Sequence, residues 1–361
     1  MAVKLNREGW LQLFTQMRRP NSFLTRHFSV KPGGIYNGEK VAIDIQRFGE
    51  DVAIAIKKCT GPNLNDIDVF TTKEFTPPAY GEAFPLDVCE LLNRMAGVDP
   101  YTAAYQDYAA ALVTKVAQGF VLVNDKIVRA VELQASQILQ TGELTLTDAD
   151  GATVYTLDFK PKVAHFPTVS NDWDGASSTK LADLLALSNI CRADGQIDMN
   201  QLIFGEYALT NFLQDDEVKA VLDNRRIEVG QVRPEFKDSG ATFYGHIWIG
   251  AYRFEMWAYP GSYKDPQTGT VTKYLATDKV IMKSNLTRLD ITAARVPLPL
   301  GPDPRVEGLL PDRLSSPEEG FDVTPNLYAT PNGKQIMGEL ESRPLLIPVQ
   351  IDGFGCLDTQ T

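Results

Sequence analysis

The sequence predicts an α+β subunit organised around one very long helix. Three patterns carry that reading. From Asp99 to about Gly142 the chain keeps a helical period. Residues 39–78 alternate in strand fashion around a polar tip, and a helix–strand–helix run at 178–224 precedes an aromatic, strand-like stretch at 243–259.

The helix opens on Asp99-Pro100, where the Asp side chain caps free N–H groups and Pro fits the first turn, and it stops at Gly142. Tyr105, Tyr108, Leu112, Val116, Phe120, Val123, Ile127 and Val131 form its apolar stripe. Their mean spacing of roughly 3.7 residues suits a straight helix better than a left-handed coiled coil. Such a helix spans ~60 Å, whereas a compact globule of this length has a diameter of only ~50–55 Å. Either Gly119 breaks the helix, or the subunit is flat and extended and tiles with copies of itself.

The 361 residues are 43% hydrophobic, enough for a sizeable core and two domains. No run approaches the ~18 apolar residues of a membrane span, and Lys115 interrupts the most apolar part of the helix. The start, MAVKLNREGW, lacks a hydrophobic signal core, so a cytosolic protein is expected and the sequon Asn285-Leu286-Thr287 is read as chance. Four scattered cysteines (Cys59, Cys89, Cys191, Cys356) suggest buried thiols rather than a disulfide framework, and His27, His165 and His246 are too far apart for a zinc site. The net charge of −11 argues against generic nucleic-acid binding. Residues 1–31 nevertheless carry a net +5, which leaves −16 for the remainder. That stretch is either an ordinary basic terminus or an arm that docks on a neighbour's acidic body.

In chain order, residues 1–35 read as an arm with a short helix near Trp10–Met17 and a hinge at Lys31-Pro32-Gly33-Gly34. Extended runs at 41–48, 52–58 and 67–76 form a long ribbon with a tip at Gly61–Asp66, closed by Pro77-Pro78. A two-stranded ribbon is marginal alone, so it leans on its own body or on another subunit. After the helix, Glu143–Thr147 and Thr153–Phe159 flank Asp150-Gly151 as a hairpin. A helix at 178–193, a strand at 201–204 and helices at 207–213 and 215–224 form a second compact unit. The stretch 243–259 is paired with a return strand at 273–282 around a turn-rich loop at 260–270. Residues 297–331 hold eight of the 22 prolines, which excludes regular helix and suggests a draped loop. A last extended stretch runs from Gly338 to Ile351.

No phosphate-binding loop, dinucleotide fingerprint, nucleophile elbow or HExxH occurs. The best enzyme-like group is His165 with Asp172 and Asp174 beside Trp173, from which a general base could be drawn; the alternative is a loop whose Asp residues cap turns. The aromatic run Tyr244, Trp248, Tyr252, Phe254, Trp257 and Tyr259 fits core or interface better than base stacking.

The order of these elements resembles a tailed-phage major capsid protein, and most closely the major capsid protein E family of lambda-like phages. Phe75-Thr76-Pro77-Pro78 after the ribbon carries the likeness, as does Gly142-Glu143-Leu144 through Leu157-Asp158-Phe159. Asp172-Trp173-Asp174, the run Phe212 to Arg226, and Gly250 to Met282 with Tyr252, Tyr259, Gly261 and Tyr263 continue it. Ser342-Arg343-Pro344-Leu345-Leu346-Ile347-Pro348 completes it near the C-terminus. The likeness covers nearly the whole chain in order, and the Pro-rich 297–331 stretch fits it least.

The resemblance implies an HK97-like fold and a non-enzymatic shell subunit without cofactors. Its expected parts are an N-terminal arm (1–38), an extended β-ribbon loop (39–80) and a peripheral domain with the spine helix (81–162). An axial α/β domain (163–335, including the Pro-rich loop) and a C-terminal strand (336–361) follow. Arg18 and Arg19 in the arm, and Gly61, Pro62, Asn63 and Asn65 at the ribbon tip, are the expected inter-subunit contacts. Implied partners are further copies in hexamers and pentamers, a scaffolding protein, a portal, a decoration protein, and packaged DNA only non-specifically, with no membrane. Such a subunit assembles in the host cytoplasm into an icosahedral virion shell around double-stranded DNA. Competing readings are another phage ring or tube component, or a soluble hydrolase using His165.

Overall fold

The computed structural model of the chain describes residues 22–36, 38, 40–46, 70–87, 108–147, 151–175, 177–222, 230–236, 240–296, 303, 305–306, 314–316, 321–332 and 334–360. The expected helix near Trp10–Met17, the start of the long helix at Asp99, the run 52–58, the ribbon tip, Cys59 and Cys89 lie outside these residues.

The first strands are β1 (Ser29–Tyr36), β2 (Val41–Gln46), β3 (Phe70–Phe75) and β4 (Tyr80–Asp87). The long helix is α1 (Tyr108–Thr141), 34 residues or about 51 Å at 1.5 Å per residue. The hairpin β5 (Glu143–Thr147) and β6 (Thr153–Asp158) follows as expected. Next come α2 (Lys180–Gly195), β7 (Gln201–Phe204), α3 (Glu206–Gln214) and α4 (Asp216–Leu222), close to their expected bounds. The strands β8 (Gly230–Phe236), β9 (Thr242–Ile249), β10 (Tyr252–Ala258), β11 (Ser262–Lys264), β12 (Val271–Lys273), β13 (Lys279–Lys283) and β14 (Asp290–Ala294) continue the chain. It ends with β15 (Leu314–Ser316), β16 (Phe321–Ala329), β17 (Gln335–Ser342), β18 (Pro344–Ile347) and β19 (Phe354–Asp358).

Gly119 does not break α1. It lies against the ring of Phe84 on β4, and Gly338 on β17 meets the same ring: a Cβ at either glycine would come within 2.3 Å of it. The glycine is therefore a docking notch that lets helix and sheet approach. The expected stripe is buried at Val116, Phe120, Val123, Ile127 and Val131, and continues through Ala135, Ile138 and Leu139. Gly142 ends the helix in the left-handed region, with φ +71, and its N–H donates to the Ile138 carbonyl at 2.8 Å.

Beneath α1 lies an antiparallel sheet in the order β15-β16-β17-β4, and β1-β14-β18 forms a second sheet. The six-stranded sheet β19-β13-β7-β10-β9-β8 separates two cores. Its residues alternate between faces as the strand period demands. Ile203, Ile281, Phe354 and Cys356 point to the α1 side. Leu202, Phe204, Val280, Met282 and Leu357 point to α2 and α3, where Trp173, Leu184, Leu187 and Phe212 close the second core. No helix among the described residues is long and apolar enough to cross a membrane.

Three expectations are corrected. The stretch 243–259 is not one strand with a return at 273–282: it folds back on itself at Gly250 (φ +60) to give β9 and β10. β13, apolar on both faces, goes to the interior of the sheet between β7 and β19. Residues 321–329 are not part of a draped loop. They form β16, with Pro325 opposite Leu340 of β17, in the sheet that carries α1 rather than in the six-stranded one. Lys31–Gly34 is not a free hinge either, because it lies inside β1, whose parallel pairing with β14 shifts register between Val30 and Ile35. Phe23, Leu24 and Phe28, just ahead of β1, already belong to the buried core.

Candidate assembly site

Two segments expected to reach neighbouring subunits are rooted on the body by buried anchors. The first anchor is Glu132 of α1, only 1% exposed. Its Oε1 accepts the backbone N–H groups of Phe23 (3.0 Å) and Leu24 (2.8 Å) and the Tyr259 hydroxyl (2.7 Å). Its Oε2 accepts the Thr25 N–H (2.9 Å) and the Thr25 hydroxyl (2.5 Å). The N–H groups belong to the start of a short 3-10 turn, Thr25–His27, whose free donors would otherwise be orphaned by burial. Phe23 packs over Trp257 and Tyr259, each 5.4 Å away between ring centres. Burial, followed by the charge of Glu132, pushes the Tyr259 hydroxyl far above the ordinary tyrosine range, so it stays a donor.

The second anchor holds the ribbon. β2 and β3 pair from Val41 opposite Phe75 to Gln46 opposite Phe70. Val41 and Phe75 are buried, and Phe75 meets Phe159 at 5.5 Å. The Tyr155 hydroxyl donates to the Thr76 carbonyl at 2.5 Å, and Arg343 Nη2 donates to the Pro77 carbonyl at 3.3 Å. The Lys40–Glu74 ion pair (3.1 Å) is exposed and adds little.

Glu132 belongs to a run of buried and half-buried polar groups on the last third of α1. Gln134 Nε2 donates to the Tyr80 hydroxyl (2.6 Å) and the Pro344 carbonyl (3.3 Å). The Ser136 hydroxyl donates to the Tyr274 carbonyl. Gln140 donates to the same carbonyl (3.0 Å) and accepts from the Ala276 N–H (3.0 Å). Sequence reasoning missed these residues. Beside an apolar stripe they look like a solvated face, and their partners lie more than 50 residues away in the chain.

Arg18, Arg19, Gly61, Pro62, Asn63 and Asn65 lie outside the described residues. His165 and Asp174 turn to different partners. His165 is buried, with Nδ1 3.0 Å from the Phe354 carbonyl and Nε2 3.0 Å from Asp194 Oδ2. Asp174 accepts the Tyr207 hydroxyl (3.0 Å), and Trp173 Nε1 donates to Asp183 (3.1 Å). Cys191 Sγ lies 3.7 Å from His165 Nδ1. Burial, then Asp194 and Asp352, pushes that thiol up to about 12, so it remains protonated and inert at neutral pH. Lys162 and His165 hold the Asp194 carboxyl below the usual range. The arrangement ties the loop at 163–165 to β19 and α2. The aromatic run is split between the cores, with Phe254 in one and Tyr259 in the other, while Trp248 is 44% exposed.

The family model for phage major capsid protein E matches residues 11–354. The chain belongs to that family. As a major capsid protein E it is a self-associating subunit of the phage head shell and part of the virion. Among solved structures, a candidate capsid protein of a prophage from E. coli CFT073 matches with a TM-score of 0.62 at 14% identity, covering 99% of both chains. A phage-related protein from Bordetella bronchiseptica RB50 matches with a TM-score of 0.51 at 10% identity, covering 99% of this chain and 98% of that one. At such identities these structures speak for the HK97-like fold alone. No curated protein sequence matches the chain. Within this capsid protein, α1 is the spine helix, and it carries Glu132, the anchor of the first root.

Proposed function

We propose that this capsid protein builds hexamers and pentamers through the segments that leave the body at its two anchors. The stretch ahead of Phe23, with Arg18 and Arg19, docks on the acidic body of a neighbour. The ribbon, with Gly61, Pro62, Asn63 and Asn65 at its tip, lies over another copy. The peripheral domain is built on residues 81–162 together with β15–β17, and the axial domain on the six-stranded sheet with α2–α4. Residues 344–361 return through β18 and β19. Assembly runs in the host cytoplasm with a scaffolding protein, a portal and in time a decoration protein. It requires no catalysis, and DNA contacts are non-specific.

The observation that supports this most is the pair of rigid roots. A two-stranded ribbon gains little by itself, yet Val41 and Phe75 fasten its base to the core. Weak contacts made by such segments add strongly in a closed shell, because each one after the first is effectively intramolecular. Electron microscopy of the expressed protein with its scaffold tests the reading, with closed shells or hexamer and pentamer tiles as the expected result. Protease should cut free subunits near Gly61–Asp66 and spare that tip in shells. Tubes, a strict monomer, or equal cutting in both states would overturn it.

A further inference from the structure

Glu132 gathers five donors from two distant parts of the chain onto one buried carboxylate. Four come from Phe23–Thr25, where the N-terminal stretch enters the body, and one comes from Tyr259, just past β10. Hydrogen bonds to an ionised acceptor are shorter and stronger than neutral ones. Three successive backbone N–H groups on one carboxylate also fix the direction of the chain they belong to. No apolar contact fixes direction so tightly, since burial is not directional.

We propose that Glu132 is a positioning residue for assembly. It pins the arm root to one point on α1, so that residues ahead of Phe23 leave every subunit in the same direction, toward a second copy of this chain. The inference rests on the reading of that stretch as an inter-subunit arm. Its bond to Tyr259 ties the same point to the six-stranded sheet. A displacement of α1 against that sheet must then either carry the arm root along or break one side of the cluster.

The test uses trypsin, because the Arg26–His27 bond lies inside the anchored turn. Arg26 itself is exposed, but the turn is held by His27 N–H to the Leu24 carbonyl (3.1 Å) and Phe28 N–H to the Thr25 carbonyl (3.0 Å). A protease needs that turn opened. Glu132→Gln keeps the volume, removes the charge and turns an amide N–H₂ toward N–H donors. Tyr259→Phe removes the bond from the sheet side and leaves the arm side whole. Glu132→Gln is expected to raise cleavage after Arg26 in free subunits at least tenfold, and to lower the yield of closed shells by a similar factor. Tyr259→Phe is expected to lower the unfolding midpoint yet keep Arg26–His27 protected and shells normal. If Glu132→Gln does not fold, Thr25→Val, which loses one donor, is read the same way with a smaller expected rise.

Protection unchanged in Glu132→Gln, or lost equally in Tyr259→Phe, would reduce Glu132 to an ordinary buried polar group and overturn the proposal. So would normal shells from a Glu132→Gln subunit whose arm root is open. Deleting residues 1–20 separates the two readings. Normal assembly of that deletion sinks the arm as an inter-subunit contact, while cleavage at Arg26 in the full chain still reports on the anchor.

Discussion

Gly119→Ala sets two effects of opposite sign against each other. In an open helix interior, Ala is favoured over Gly by about 1 kcal/mol, and a mid-helix glycine would invite this change as a stabiliser. Here the new methyl would stand 2.3 Å from Phe84 Cε2, 2.5 Å from Cδ2 and 2.6 Å from Cζ. The ring has no room to retreat, since a Cβ at Gly338 would also lie 2.3 Å from it, and Phe120 packs edge-on at 5.1 Å. Overpacking a filled site costs about 1–3 kcal/mol, and a site closed on both sides belongs at the upper end. The net expectation is a loss of about 2 kcal/mol, read from urea unfolding of free subunits followed by circular dichroism. In a Phe84→Ala background the clash is gone and the same change should stabilise by about 1 kcal/mol. The two backgrounds therefore differ by about 3 kcal/mol, the coupling that a double-mutant cycle measures. A wild-type background stabilised by Gly119→Ala would refute the docking role of the glycine.

Lys283 is 3% exposed, and burial lowers its amine to about 8, with Glu255 opposing the shift. Above pH 10.5 the amine is neutral folded or unfolded, and burial of its charge costs nothing. As pH falls from there to 8 the unfolded chain takes up the proton first, so stability drops, by about 3 kcal/mol at most, and then stays level. Lys283→Met should thus be more stable than the parent by about 1–3 kcal/mol at pH 7, with the gap closing toward pH 10.5; a gap that does not change with pH counts against this. The thiols of Cys191 and Cys356 are both buried and both pushed up to about 12. Iodoacetamide at pH 8, mapped by mass spectrometry, should label them only after denaturant is added, and labelling of either in native subunits would show that its pocket opens.

The elements were written in local periodicity. The stripe from Leu112 to Val131, the stop at Gly142, the Asp150-Gly151 hairpin and the strand at 201–204 each follow from residues within one or two turns of each other. Their order was enough to suggest the capsid family. What local pattern could not decide was partnership. Strand spacing says that 243–259 and 279–283 are extended, but not that the first pairs with itself while the second lies between β7 and β19. Proline density rightly excluded helix at 321–329, yet β16 accepts Pro325 within an antiparallel pair. Asp172 and Asp174 looked like companions of His165 because they are near in sequence, whereas Asp194 is near in space. Gly119 read as a weak point until Phe84 filled it, and Glu132 gave no local signal because the donors that close on it lie some 108 residues away. Period and capping are properties of a few adjacent residues, so the chain alone determined them. Register, anchors and notches arise where surfaces from distant segments meet, and only the packed tertiary structure brings those surfaces together.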